Sequence, residues 1–213
     1  MIQKPLKCKI CKTRDPRVTL QRPFCSNPEC GIEMLKLLKE KEAKKEKKEW
    51  SVKKEKMRVG LMSHSDWQKA LQVKINAIVR GVDQNFPCIS SGSFAGQKHG
   101  GHFYATGGHN SIRFNLNNIW LQNAHQNTYL SGNPIEYRNN LIKLFGEEFC
   151  EKEIFTLPLT YPHIKLSITE LQEKIEIAKE IMFFQKEGKY VAKTNEERLT
   201  IRKELNQKFG IYL

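Results

Sequence analysis

The chain has 213 residues, with 36 Lys and Arg against 23 Asp and Glu and a formal net charge of +13. That length suits one ordinary domain with a small companion, and the charge points to a polyanion as partner, nucleic acid before an acidic membrane surface. No stretch is apolar enough to span a bilayer, and the opening MIQKPLKCK lacks the hydrophobic run of a secretory leader. The expected compartment is therefore reducing and cytoplasmic. The six cysteines are then read as metal ligands or buried thiols, not disulfides.

Residues 1–33 carry Cys8, Cys11, Cys25 and Cys30, a C-x-x-C pair followed by C-x4-C. Two thiolates two residues apart can hold one ion from a single turn, and a second pair completes a tetrahedral structural zinc site. A segment this short has no core of its own, so the metal would supply its stability. The alternative is four reduced thiols in a disordered leader. Residues 34–60 alternate Lys and Glu in blocks. They predict a solvated helix held by i,i+4 pairs, either a spacer or an arm contacting phosphates.

Ser63 to Asp66 offer cap residues for an amphipathic helix over 67–84, whose Trp67, Leu71, Ile75, Ile78, Val79 and Val82 share one face as core. His64 is read as a surface or cap-region residue. Residues 99–133 are rich in Gly, His and Asn and poor in apolar periodicity, which suits polar groups held by tight turns. Short aromatic pieces over 101–115 suggest a two-stranded hairpin. Residues 117–129 then run from a strand end into a short helix, giving a ββα order. Further on, 135–146 reads as a helix stopped by Gly146, 147–155 as another turn or two with Cys150 buried, and 157–162 as a loop. Ser167 with Glu170 and Thr194 with Glu197 open two last helices, to about 186 and 207. The fold class is α+β and mostly helical.

The run from Asp66 to Gly146, with DWQKALQVKINAIVRGVDQNFPCIS, GGHF, IRFNLNN, LSGN and EYRNNLIKLFG in order, resembles the phage NinG (Rap) recombination proteins, nucleases with an HNH-type ββα-metal site. The cysteine pairs and Lys/Glu-rich stretch stand in the same order as in that family. The resemblance implies a zinc module at 1–33, a helical linker at 34–60, an HNH-like nuclease domain at 61–160 and a helical region at 161–213. It implies His102 as the general base, Asn118 as the residue orienting its imidazole, and Asn127 as a ligand of a catalytic Mg²⁺ or Mn²⁺. Without the resemblance, His102 reads as a structural histidine, and Asn118 and Asn127 as turn or cap residues.

Arg113, Lys98 and Arg138 are candidates for contact with DNA; Arg113 could instead pair with an acidic residue such as Glu136. His99, His109 and His125 read as loop residues. The family's two C-x-x-C pairs around the site are reduced here to Cys88, with Ser91, Asn123 and Gln126 at the other positions, and a family histidine is Trp120. The implied function is cleavage of branched DNA in phage or prophage recombination, with a homodimer suited to a four-way junction. The competing readings are a DNA-binding protein without catalysis and a phage protein–protein adaptor.

Overall fold

The computed structural model describes residues 5–212. Two compact units divide the chain at Met62. Unit 1 begins with a small cysteine-rich knuckle and continues as α1, Pro28–Gly60. Asn27 caps α1 by accepting from the Glu29 N–H, and Pro28 occupies its first turn, where a missing N–H costs nothing. The helix thus starts before the expected linker and takes Cys30 with it. Module and linker share one continuous element. Its charged face is as expected, with only Cys30 and Met34 buried.

Unit 2 holds α2 (His64–Val82), β1 (Lys98–His102), β2 (Ile119–Asn123), α3 (Pro134–Phe145), α4 (Glu147–Cys150), α5 (Leu157–Thr160), α6 (Ile168–Lys186) and α7 (Asn195–Phe209). The central and C-terminal regions expected as separate form one body. Reciprocal bonds between Ser63 and Asp66 open α2, and Ser167 and Glu170 do the same for α6. At α7, Thr194 accepts from the Glu197 N–H, but Glu197 reaches back to Lys193. Gly210, at φ 60°, stops α7 in a left-handed conformation.

The apolar face of α2 packs on α6, burying Leu71, Ile75, Ile78 and Val79 with Leu171, Ile175, Ala178 and Ile181. Removing each such Leu, Ile or Val side chain from water is worth about 1.5–3 kcal/mol. A second cluster under α3 joins Ile89, Trp120, Tyr137, Leu141 and Ile154.

Two expectations change. β1 and β2 pair antiparallel from Lys98↔Asn123 to His102↔Ile119, so both strands lie outside the segment over 105–115, which forms turns within a long loop. The expected loop over 157–162 contains a short helix, tolerating Pro158 in its first turn. His64 is an exposed residue of the first turn of α2, as expected, and its Nε2 also lies 2.7 Å from the Leu166 carbonyl.

One buried ion cluster ties α7 to the hairpin. Asp83, fully buried at the end of α2, accepts from Arg198 Nε at 3.0 Å and from both terminal nitrogens of Arg202 at 2.9 and 2.7 Å. Its remaining capacity takes the Leu121 N–H of β2 at 3.1 Å. The flanking guanidiniums hold its carboxyl at about 2, overcoming the opposing effect of burial. One carboxylate leaves the cluster with net positive charge. Arg202 lies 3.7 Å over the Trp120 ring and Arg198 4.8 Å over it, which spreads that charge onto π faces.

Candidate functional site

The polar segment over 99–133 becomes the hairpin, its 16-residue loop over 103–118, and a π-helical turn at His125–Tyr129. The two glycines of β1 have separate reasons. A Cβ at Gly100 would stand 3.1 Å from the Asn76 backbone of α2, and one at Gly101 would collide with the Gln122 side chain. Side chains alternate along a strand, so His102 shares the α2 face with Gly100, while His99 and Gly101 share the other.

His102 is largely buried, and its Nε2 lies 3.0 Å from the Arg113 carbonyl. A carbonyl only accepts, so Nε2 carries the proton and Nδ1 carries a lone pair. Burial, helped by the Arg113 charge, holds the imidazole below its ordinary range despite the carbonyl bond. The group is therefore neutral at pH 7 with one basic nitrogen, as a general base requires.

Arg113 is held by oxygen atoms of neutral amides: Gln72 at 3.2 Å, Gln68 at 3.3 Å and Asn110 at 2.9 Å. Among the described residues no carboxylate pairs with it, Glu136 included. Its charge is thus positioned but not neutralised, an arrangement suited to an anion.

Asn118 is fully buried and makes no bond to the imidazole. Its Oδ1 accepts from the Tyr104 N–H at 2.8 Å, and its Nδ2 donates to the Tyr104 and Ile112 carbonyls at 3.2 and 3.4 Å. It closes the loop and fixes the backbone next to Arg113, so any control over His102 runs through that backbone. Asn127 lies on the other face, its amide 3.2 Å from His99 Nδ1. The structure does not bring His102 and Asn127 into contact. His99, read as a loop residue, is instead the strand residue that meets Asn127; strand alternation was the signal for it. Lys98 donates to the Gln84 carbonyl at 2.8 Å, and Arg138 pairs with Glu151 at 3.2 Å while covering the Phe155 ring. Of the three candidate DNA contacts, Arg138 has its charge neutralised.

Hydrogen bonds run through Ser91, Asn123 and Gln126, the positions where the resemblance expects cysteines. Asn123 donates to Ser91 at 3.3 Å and accepts from the Gln126 N–H at 2.9 Å; Gln126 accepts from Asn133 at 2.8 Å. Gly92 N–H returns to the Cys88 carbonyl at 2.8 Å, closing a tight turn. Amides and a hydroxyl thus connect the segments around Ser91, Asn123 to Gln126, and Asn133.

In unit 1 the four candidate sulfurs all lie within 4.8 Å of one another, with Cys11 and Cys25 3.7 Å apart. Sulfurs at the corners of a zinc tetrahedron stand about 3.8 Å apart, from a Zn–S bond of about 2.3 Å. The first knuckle is closed by Lys12 N–H to the Cys8 carbonyl at 3.0 Å, with Lys12 at φ 63°. Burial raises Cys8, but backbone N–H groups of Cys25, Cys11 and Ile10 outweigh it and bring the thiol down to about 6; burial and the neighbouring thiols push Cys30 up to about 12. Four thiol groups this close can hold a metal ion.

Among known proteins, the family model described as "Bacteriophage Lambda NinG protein" matches residues 2–187. "Protein ninG" of Enterobacteria phage H19B is 34% identical over 160 residues, 68% of this chain and 78% of that protein. Its counterpart in Escherichia phage lambda is 33% identical over 168 residues, 71% of this chain and 82% of that protein. That of Salmonella phage P22 is 32% identical over 152 residues, 64% and 75% of the two chains. No solved structure matches the chain. No described helix is long and apolar enough to cross a membrane.

Proposed function

The chain belongs to the NinG family, and from that premise we propose that it is an HNH-type endonuclease cutting branched DNA in phage or prophage recombination. The observation that carries this reading is the pairing of His102 with Arg113: a neutral, buried imidazole with a basic Nδ1, beside a guanidinium with no carboxylate partner. His102 would take a proton from a water molecule as its oxygen attacks phosphorus and the bond to the leaving oxygen breaks. Arg113 would hold the phosphate, and Asn118 would act as a positioning residue by fixing the loop that presents the Arg113 carbonyl. Asn127, with His99 against it, would hold the divalent ion through its amide oxygen, a hard donor suited to Mg²⁺ or Mn²⁺. Held on the face opposite His102, that ion would neutralise a phosphate of the bound strand there, leaving charge at the attacked phosphate to Arg113. Zinc in the four-cysteine site would be structural, since four thiolates leave no open position.

A second reading rests on the same geometry. Asn127 stands on the face opposite His102, and among the described residues no cluster of three carboxylate, His or Cys ligands lies near either. This favours a DNA-binding recombination protein without cleavage. A four-way junction assay with Mg²⁺ and Mn²⁺ separates the two. The nuclease reading expects cleavage by the wild type and loss of cleavage, with binding retained, in His102→Ala. Equal binding with no cleavage by either protein selects the second reading, and no binding by either protein defeats both.

A further inference from the structure

A polar cleft of about 520 Å³ lies between α7 and the segment around α4 and α5, away from His102. One wall is α7, beyond the residues matched by the family model. The floor is rigid. Asn206 donates to Asn115 at 3.2 Å and accepts from the Leu116 N–H at 3.0 Å; Tyr212 accepts from the Phe114 N–H and donates to the Ser111 carbonyl. Phe149 and Tyr161 line the walls, the Tyr161 ring packed edge-on against Tyr212 and Phe149 beside Phe145. At the exposed rim stand Lys152 and Lys203, neither paired with a carboxylate among the described residues, and the free amide of Gln207.

We propose that this cleft binds a single nucleotide unit, its base between the aromatic walls and its phosphate at Lys152 and Lys203. The volume is that of a small-ligand site. Aromatic faces accept any base by stacking, amides and Glu153 meet base edges, and unpaired ammonium groups meet phosphate. The unit can come from an unpaired DNA strand or from a free nucleotide. The site does not depend on His102, so it stands or falls separately from the nuclease reading.

The test uses the full chain and a fluorescein-labelled single strand of about twelve nucleotides, followed by anisotropy at about 0.15 M salt. Lys152→Ala/Lys203→Ala is compared with Lys165→Ala/Lys186→Ala, an equal charge change at exposed positions outside the cleft. The first pair weakens binding by about tenfold and the second by less than about twofold. Thr200→Trp, which fills the cleft from the exposed side of α7, removes the same affinity without changing charge. Competition by millimolar dAMP marks a site open to free nucleotides; its absence, with strand binding intact, marks the strand as the ligand. Equal loss in both lysine pairs, undiminished binding by Thr200→Trp, or no strand binding at all overturns the proposal.

Discussion

Asp83→Asn is expected to weaken unit 2 severely while changing almost no volume. The substitution leaves the Arg198 and Arg202 guanidiniums buried against a neutral amide. Removing one partner of a buried ion pair costs about 3–5 kcal/mol. The carboxyl offers a second route to the magnitude. Its fall from the ordinary 3.8 to about 2 corresponds to roughly 2.5 kcal/mol, a smaller figure because protonation leaves the acid's hydrogen-bond acceptors in place. Together these give about 2.5–5 kcal/mol. At about 2–4 °C per kcal/mol for a body of this size, the melting temperature falls by roughly 5–20 °C. The sign with pH follows from the depressed value. The contribution is fully present above the ordinary carboxylate range near 4 and is lost as pH falls towards 2, so the variant loses this part of the acid limb. Trp120 lies under Arg202, so its fluorescence reports the transition during thermal and acid unfolding. A variant melting within about 2 °C of wild type, with an unchanged acid limb, would refute the view that this cluster locks α7 to the hairpin.

Three further outcomes are expected. The acid limb of DNA cleavage should lie below the ordinary histidine value of about 6.5, because burial keeps His102 neutral and the base must be unprotonated; a limb above that value contradicts the assignment. Ser91→Cys/Asn123→Cys/Gln126→Cys, together with the native Cys88, should bind one more zinc per chain than wild type by metal analysis. An unchanged metal content would show that the hydrogen-bonded frame has lost the geometry of a metal site. Cys30→Ser should reduce zinc retention and speed amide exchange over residues 28–36, whereas unchanged values for both would remove Cys30 from the ligand set.

Features set by local chemistry were legible before any coordinates. The helical spacing of Leu71, Ile75, Ile78 and Val82 announced the core face of α2, the Ser167–Glu170 pair announced the start of α6, and the cysteine spacing announced a cluster that the fold does assemble. Features set by distant partners were not. Nothing near Asp83 shows that its arginine partners lie more than a hundred residues later, on the last helix. Glu151 is likewise invisible as the partner of Arg138. At the candidate site, His102 and Asn127 were singled out by the resemblance alone, and their separation onto two faces depends on strand register. That same register makes His99 the neighbour of Asn127.

Cys30 sits in the first turn of a helix 33 residues long, or about 50 Å at 1.5 Å per residue. Starting a helix is its costly step, because several residues must be fixed before the first hydrogen bond repays them. A four-thiolate ion would hold that first turn in place, so it would act as a nucleation point from which the charged rod grows. Oxidising or stripping those sulfurs would then change more than the knuckle. It would return to α1 the cost of starting itself, and a chemical event at one end would set how far a long lever stays rigid.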